Sequence, residues 1–324
     1  MTDLRLISSA VAKPGAATPR HPSAAFSVTA IGSCRIVGPL RIMQQSPLMI
    51  LNQTGVYGYS HSSAEIRQHL SHLLNGTRPP SDLLPVLGPG SDTMDDACHR
   101  HLKSDFYVFE LSSAKQISID GHPVQLNYFN RHFRTFFANP DRTRAFWRHA
   151  TQSTLADMKA FLSGLPEYKA LSTQDQRLLQ ATRLQMTTPE DLRLDIDAIQ
   201  REVEDHLFVT HFDALKTDGT PLKARAEYIA MVKDALTECG ATWYDPTPSV
   251  HAFGQDLAIE DTERSLSHYS HSFEQYLCSD WWMRFIDPVR EQKRLARTTR
   301  GRIRQMALAA SRSANTATSS CEKV

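Results

Sequence analysis

The sequence lacks three features that would each define a class of protein. It has no C-x-x-C pair, and an odd number of scattered cysteines argues against a disulfide framework or a cysteine-rich zinc site and favours a reducing cytoplasm. No apolar run approaches the roughly 18 residues that a membrane-spanning helix needs. Residues 1–23 contain no compact apolar stretch of the kind found in a secretory signal. We therefore expect a cytoplasmic enzyme or binding protein without a bound metal. The cysteines are Cys34, Cys98, Cys239, Cys278 and Cys321.

A large net charge is also missing. Among 324 residues, 36 Lys and Arg stand against 35 Asp and Glu, which argues against a nucleic-acid partner bound through bulk charge. The distribution is uneven, because residues 284–312 hold nine basic and two acidic residues, about +7, and leave about −6 for the rest. We expect residues 289–324 to be a basic, largely disordered tail with a candidate helix over 290–306. The tail is either a solvated extension or a peripheral contact with an anionic membrane surface or polyanionic glycan.

The order of apolar and periodic segments predicts the fold. Strand-type and helix-type segments alternate, with connections too long for hairpins, which indicates a doubly wound α/β domain over 25–288 with a mainly parallel, five-stranded sheet. Residues 1–24, rich in Ala, Pro, Ser and Thr, are expected to be a flexible leader. Residues 140–206 are predicted to be a helical insertion that caps the substrate site, or alternatively a dimer surface. The predicted strands are Phe26–Ile31, Leu48–Leu51, Phe106–Leu111, Leu207–Thr210 and Ala241–Tyr244, with helices after Ser62, after Thr188 and over Arg225–Leu236.

Candidate chemistry lies at the carboxyl ends of the predicted strands, where ligands bind in open α/β sheets. The first strand runs into Gly32-Ser33-Cys34-Arg35, in which glycine permits a tight turn and Cys34 begins a helix. The positive end of that helix is expected to lower the thiol pKa and to activate a nucleophile. The alternative is that Cys34 is a small buried apolar residue, as lone cysteines usually are.

Polar residues follow later segments of the same kind. Ser112 and Ser113 after the third strand offer oxyanion donors, or only cap the next turn. His211 after the fourth strand is either a substrate-binding group or a half-buried core histidine. His268 precedes a helical segment, a position that suits a general base. The segment 98–101 contains one cysteine and two histidines without a second spaced pair, so we interpret its histidines as surface residues and not as metal ligands.

The order of these motifs resembles the SGNH/GDSL hydrolase superfamily, in which a serine nucleophile follows the first strand in a Gly-x-Ser turn. Cys34 stands in the nucleophile position, which is similar to the GSCFA-domain branch and to capsule-biosynthesis acetyltransferase-like proteins. The segment 55–63 resembles the second GSCFA block, and 105–113 resembles the third strand with its polar turn. The segment 268–276 resembles the last block, where the catalytic histidine begins the final helix. The resemblance covers residues 26–280.

The resemblance implies acyl transfer. His268 takes the proton from Cys34, whose thiolate attacks an ester or thioester carbonyl. Backbone N–H groups after the nucleophile and in the second block, together with a serine of the third block, stabilise the oxyanion. The residues expected to bind the oxyanion or the substrate are Ser33, Arg35, Gly55, Ser112, Ser113 and His211.

The sequence departs from the superfamily at the acid that orients the histidine. The superfamily usually has an acid three residues before the histidine, where this chain has Ser265. Asp245, Asp261 or Glu263 is expected to orient His268 instead, unless the enzyme works as a Cys–His dyad.

Two functions remain open. The first is a cysteine-dependent esterase or O-acyltransferase acting on a carbohydrate or polysaccharide precursor, with no tightly bound cofactor and with acyl-CoA as a candidate donor. The second is a catalytically inactive SGNH-like protein that binds glycan or assembles polysaccharide. A nucleotide-binding function is disfavoured because no glycine-rich phosphate loop follows the first strand.

Overall fold

The computed structural model describes residues 25–89, 101–260 and 266–299. A five-stranded parallel sheet forms its centre, with the strands side by side in the order Met49–Leu51 (β2), Phe26–Ile31 (β1), Phe106–Leu111 (β3), His206–Thr210 (β7) and Trp243–Tyr244 (β8). Helices cover both faces of this sheet, so the predicted doubly wound α/β fold is confirmed. The strands are β1 (Phe26–Ile31), β2 (Met49–Leu51), β3 (Phe106–Leu111), β4 (Lys115–Ile119), β5 (His122–Val124), β6 (Thr182–Met186), β7 (His206–Thr210) and β8 (Trp243–Tyr244).

The helices form two layers and a separate group. On one face of the sheet the helix Cys34–Met43 packs against the helix His271–Trp281. On the other face the helix Pro189–Glu202 contacts both Ser63–Asn75 and Lys223–Glu238. The remaining helices belong to connections and to the insertion described below. The helices are α1 (Cys34–Met43), α2 (Ser63–Asn75), α3 (Leu84–Leu87), α4 (Leu126–His132), α5 (Pro140–Gln152), α6 (Leu155–Ser163), α7 (Pro166–Lys169), α8 (Thr173–Ala181), α9 (Pro189–Glu202), α10 (Lys223–Glu238), α11 (Thr247–Phe253), α12 (Gln255–Ala258), α13 (His271–Trp281) and α14 (287–299), the last preceded by a π turn at Trp282–Ile286.

The local signals in the sequence explain these elements. All six residues of β3 are buried, as expected for a strand covered on both faces of a parallel sheet. Ser62 caps α2 by accepting the Glu65 N–H, and Thr188 caps α9 in a reciprocal capping box with Asp191. Each predicted strand of the central sheet is present within a residue or two of its predicted bounds.

The insertion has bounds different from those predicted. The chain leaves the central sheet after β3, forms a three-stranded antiparallel sheet in the order β5-β4-β6, and carries α4 to α8 around an aromatic core that also includes Tyr57, Leu83, Val86 and Leu87. A tight Asp120-Gly121 turn, with φ of 51° and 81°, joins β4 to β5. The insertion therefore covers 115–186 and not 140–206. Helix α9 lies outside it, because the apolar face of α9 packs in the core that borders the central sheet.

The strand order places a crevice next to β1. The chain leaves β1 towards β2 on one side and continues from β3 towards β7 on the other, so the connections diverge between β1 and β3. In doubly wound sheets ligands bind at such a switch point, outside the carboxyl ends of the strands. Cys34 follows β1 and Ser112 follows β3, so both lie at this edge.

The basic segment after the domain packs against the body along its described part. Helix α14 lies at the amino ends of the strands, away from Cys34. There Lys293 Nζ is 2.7 Å from the Asp205 carboxylate, just before β7, and Arg297 Nη2 is 2.6 Å from Asp105, just before β3. Residues 289–299 are thus helical, in agreement with the described part of the candidate helix over 290–306, and their ion pairs to the body differ from the largely disordered tail expected there. The predicted leader 1–24 and residues 300–324 lie outside the described residues. Within the described ranges, no helix is long and apolar enough to cross a membrane.

Candidate active site

The turn between β1 and α1 places Cys34 as the first residue of a helix. Ser33 caps α1, with its Oγ accepting the Arg35 N–H at 3.3 Å. Residue 32 has to be glycine, because a Cβ on Gly32 would lie 2.5 Å from Glu110 Cβ. A central strand and a capped helix therefore hold one thiol at the switch point of the sheet.

His268 lies beside that thiol. Its Nδ1 is 3.4 Å from Cys34 Sγ, a hydrogen-bonding distance for sulfur. The loop that carries it is fixed on both sides: the His268 carbonyl accepts the Glu260 N–H at 3.0 Å, and Ser270 donates its N–H to the Ala258 carbonyl at 2.8 Å. Two predicted residues that are 234 positions apart are thus brought together, and the histidine side chain is exposed.

The environment of Cys34 keeps its thiol protonated. Burial raises the pKa of the thiol above its ordinary value of 9.0 and outweighs the lowering by the charge of Arg35, while Glu110 adds to the increase. The lowered pKa that was expected from the helix N-terminus is therefore not what this environment gives. A thiol of this kind needs a base within reach, and His268 is at the right distance to be that base.

A buried ion pair lies directly beneath the nucleophile turn, as we name residues 32–34 between β1 and α1. The Glu110 carboxylate accepts hydrogen bonds from Arg35 Nε at 2.7 Å, from Arg35 Nη2, and from the Ser33 N–H at 2.6 Å. The side chains of Arg35 and Glu110 are 6% and 1% exposed. Burial alone would raise the pKa of Glu110, but the Arg35 charge dominates the other contributions and the net result is a pKa of about 2. The pair is charged, and it fixes the residues on both sides of Cys34.

Two arginines also hold the loop in front of His268. Arg35 Nη1 donates to the Ser267 carbonyl at 3.2 Å, and Arg225 Nη1 donates to the Leu266 carbonyl at 2.7 Å. Leu266 has a φ of 45°, in the left-handed region that disfavours side chains with a Cβ. The arginines thus stabilise a strained turn, and Arg35 connects the turn that carries Cys34 with the turn that carries His268.

His211 supports Arg35 from below. Its Nε2 accepts a hydrogen bond from Arg35 Nη1 at 2.9 Å, and its Nδ1–H donates to the Phe212 carbonyl at 3.0 Å. Burial, followed by the charges of Arg35 and Arg225, lowers the pKa of His211 well below its ordinary value, so the ring is neutral. His211 is 6% exposed, so it lies behind the site and not in the position of a substrate-binding group.

The two predicted serines are mostly engaged. The N–H groups of Ser112 and Ser113 both donate to the His61 carbonyl, at 2.9 and 3.0 Å. The Ser113 hydroxyl donates to the Lys115 carbonyl at 3.2 Å. The Ser112 hydroxyl is buried and has no partner among the described residues. Of the two hydroxyls and two N–H groups of Ser112 and Ser113, it is therefore the donor that no described residue accepts.

The backbone donors of the nucleophile turn can be counted in the same way. The Ser33 N–H is bonded to Glu110, and the Arg35 N–H, which was expected to bind the oxyanion, is used by the Ser33 cap. Among the described residues, the N–H of Cys34 itself has no acceptor, as is usual in the first turn of a helix. Gly55 lies in the turn after β2 with a φ of 80°.

The acids expected to orient His268 lie elsewhere or outside the described residues. The Asp245 carboxylate is 2.9 Å from Lys233 Nζ and is not bonded to the histidine. Asp261 and Glu263 lie in the segment 261–265, which the structure does not describe. In the described ranges, no carboxylate lies within hydrogen-bonding distance of the His268 ring.

Three residues near the site were not predicted. Glu110 was recognised only as part of a strand, although a glutamate in an otherwise apolar buried strand is a signal for a buried charge pair. His61 follows the loop after β2, and burial lowers its pKa. Tyr59, two residues earlier, is 46% exposed beside the nucleophile turn. Across the described ranges, no group of three or more His, Cys, Asp or Glu could hold a metal ion.

Comparison with known proteins gives a family and one curated relative. The profile of the TviD N-terminal domain family matches residues 26–284. The Vi polysaccharide biosynthesis protein TviD of Salmonella typhi is 31% identical over 254 residues, which cover 78% of this chain. The matched region spans 30% of the length of that relative. No solved structure matches the chain.

Proposed function

The chain belongs to the TviD N-terminal domain family, and from that premise we propose that it is a cysteine-dependent O-acyltransferase or acyl-ester hydrolase acting on a carbohydrate or polysaccharide precursor. The observation that carries the proposal is the 3.4 Å distance between Cys34 Sγ and His268 Nδ1 at the switch point of the sheet. The name of the relative supports a glycan substrate, and a thiol nucleophile suits the exchange of a thioester.

The first half of the reaction forms an acyl-enzyme. His268 takes the proton of the Cys34 thiol as the sulfur attacks the carbonyl carbon of the acyl donor. The carbonyl oxygen becomes an oxyanion, and its candidate donors are the N–H of Cys34, which has no acceptor among the described residues, and the Ser112 hydroxyl. The tetrahedral intermediate collapses, the leaving thiolate or alkoxide takes the proton from His268, and an acyl thioester remains on Cys34.

The second half transfers the acyl group. His268 takes the proton of a sugar hydroxyl, whose oxygen attacks the thioester carbonyl. The sugar ester leaves, and the Cys34 thiolate recovers its proton from His268. With water in place of the sugar the same steps give hydrolysis. We propose acyl-CoA as the donor and no tightly bound cofactor.

His268 works in this scheme without a carboxylate partner from the described residues. Its orientation comes from the backbone, because Arg35 and Arg225 hold the carbonyls of the two residues before it. We therefore propose a Cys–His dyad, with the Arg35–Glu110 pair as the support that keeps the two turns together.

We further propose that the domain is a cysteine variant of the SGNH/GDSL fold, close to the GSCFA branch. The support is the order of the motifs: the nucleophile after the first strand, a glycine loop after the second and a histidine before the last helix of the domain. We also propose a cytoplasmic location and a peripheral contact of the basic segment 289–324 with an anionic membrane surface.

The experiment is turnover of acyl esters and acyl-CoA by the Cys34→Ala and His268→Ala variants. Each change is expected to reduce turnover at least 100-fold, because it removes the nucleophile or the base. Mass spectrometry after a donor pulse is expected to find one acyl group on the peptide that contains Cys34. Cys278→Ala is the matched control for the loss of a half-buried thiol. Full turnover by Cys34→Ala would refute the mechanism.

Among the described residues, no carboxylate is hydrogen-bonded to the His268 ring. This observation favours a second candidate function, an inactive glycan-binding or polysaccharide-assembly protein. The two candidates differ in the reactivity of the thiol. In an enzyme, His268→Ala should slow the alkylation of Cys34 by iodoacetamide near neutral pH, because the base is lost. In a binding protein the parent and the variant should react at the same rate, and no acyl-enzyme should form.

A further inference from the structure

Two tyrosines from different parts of the fold meet beside the nucleophile turn. Tyr59 follows the loop after β2, and Tyr128 lies on α4 of the insertion. Their ring centroids are 6.2 Å apart with an angle of 23° between the planes. Tyr59 is 46% exposed, which is unusual for a large aromatic side chain next to a reactive group. The pair forms an aromatic surface across the junction of the two units.

The contacts fix this surface relative to Cys34. Ser60 donates its N–H to the Gly32 carbonyl at 3.4 Å, which ties the Tyr59 loop to the turn that carries the nucleophile. Burial raises the pKa of Tyr59, and a negative charge formed on Cys34 would raise it further. The loop that presents the exposed ring is therefore hydrogen-bonded to the turn that carries Cys34.

The insertion holds the same loop from its other side. The Tyr59 N–H donates to Tyr128 Oη at 2.9 Å. A Cβ on Gly58 would lie 2.9 Å from the Tyr128 ring and 3.3 Å from the Gly88 Cα, so glycine is needed for this close approach. The position of Tyr59 is thus set by hydrogen bonding and by packing, and its exposed ring is presented in one place.

We propose that Tyr59, supported by Tyr128, is the subsite that receives the sugar ring of the acceptor. The inference rests on the proposed function and specifies its acceptor side. An exposed aromatic face binds the apolar C–H face of a pyranose, while the tyrosine hydroxyl serves its polar edge. A sugar stacked on this ring would be held by the loop that is hydrogen-bonded to the Cys34 turn, on the side from which a sugar hydroxyl would approach the acyl-Cys34 thioester. Since Tyr128 belongs to the insertion, the insertion takes part in choosing the acceptor.

The test separates the two halves of the reaction. The donor is p-nitrophenyl acetate, whose burst of p-nitrophenolate reports acylation of Cys34, and the acceptors are methyl pyranosides of gluco, galacto and 2-acetamido type. Acceleration of steady-state turnover by a glycoside reports transfer. Tyr59→Ala is expected to raise the acceptor KM about 10-fold, the effect of losing one ring contact, and to change the burst far less. Tyr59→Phe should restore most of the acceptor affinity, and Tyr128→Phe should weaken it a few-fold.

Tyr276→Ala is the matched control, because Tyr276 is similarly exposed but stacks on Phe273. An unchanged acceptor KM in Tyr59→Ala, an equal loss in the burst and in transfer, or a parent enzyme that no glycoside accelerates would each overturn the subsite. A missing burst in the parent, or a burst that survives Cys34→Ala, would instead overturn the proposed function.

Discussion

Replacing Glu110 by glutamine should destabilise the protein strongly, because it breaks a buried ion pair on one side. The Glu110 carboxylate accepts bonds from the Arg35 guanidinium and the Ser33 N–H. Glutamine has one acceptor oxygen and an NH2 group that would face another donor. Removing one partner of a buried pair costs about 3–5 kcal/mol, since the remaining charge stays buried without compensation.

The pH dependence gives an independent magnitude. The pKa of Glu110 falls from an ordinary 4.5 to about 2 on folding, which corresponds to about 3 kcal/mol because a tenfold change in proton affinity is worth about 1.4 kcal/mol. A carboxyl group whose folded pKa is lowered contributes this stability above its unfolded pKa, and loses it as the pH falls from about 4.5 towards 2. We therefore expect Glu110→Gln to lose about 3–5 kcal/mol at neutral pH.

The assay is urea unfolding followed by circular dichroism at pH 7 and at pH 3. The control is Glu238→Gln, which removes a carboxylate paired with Arg193 at 2.8 Å, where both side chains are about half exposed. Such a surface pair contributes below about 1 kcal/mol. The difference between Glu110→Gln and the parent should shrink at pH 3, because the parent loses part of the same interaction. If Glu110→Gln were no less stable than Glu238→Gln at pH 7, the argument for a buried charged pair would be refuted.

Three further predictions concern glycine positions and the thiol. Gly32→Ala should lower the free energy of unfolding by about 1–3 kcal/mol, because its Cβ would overlap Glu110 Cβ. Thermal unfolding of the variant and the parent measures this loss, and an unchanged melting temperature would contradict the close approach. Gly121→Ala should lower the free energy of unfolding by about 1 kcal/mol through its φ of 81° alone, because among the described residues no heavy atom beyond its chain neighbours lies within 4 Å of the added Cβ. A loss as large as that of Gly32→Ala would contradict this explanation. The alkylation rate of Cys34 should keep rising with pH up to and beyond 9, because burial raises the thiol pKa; a plateau near pH 7 would instead reveal a preformed thiolate.

Local signals in the sequence predicted much of the fold and the two reacting groups. The apolar run of β3, the capping residues Ser62 and Thr188, and the turn before Cys34 act within a few residues, and each was found where predicted. Cys34 and His268 were paired through the order of motifs, and the structure brings them together.

The rest depends on contacts that no local pattern encodes. Arg35 and Glu110 are 75 positions apart, so their pairing follows only from the register of β1 against β3. Only the backbone N–H of Arg35 was therefore assigned a role, at the oxyanion, and the buried support given by its side chain was missed. The start of the insertion did have a signal, the Asp120-Gly121 dipeptide between β-type residues, which is typical of a hairpin turn. It was missed because the helical pattern after residue 140 was stronger.

The two separate hydrophobic cores have a consequence for how such a domain can diversify. Cys34 and His268 are held by β1, α1 and α13, which share the core on one face of the central sheet, while the insertion packs in a second core that it shares with Tyr57 and with Leu83, Val86 and Leu87. Substitutions inside the insertion can therefore accumulate, or its loops can change length, with little effect on the distance between sulfur and imidazole. Under the proposed acyl-transfer function, a new acceptor could be acquired by remodelling the insertion while the residues around Cys34 and His268 stayed unchanged.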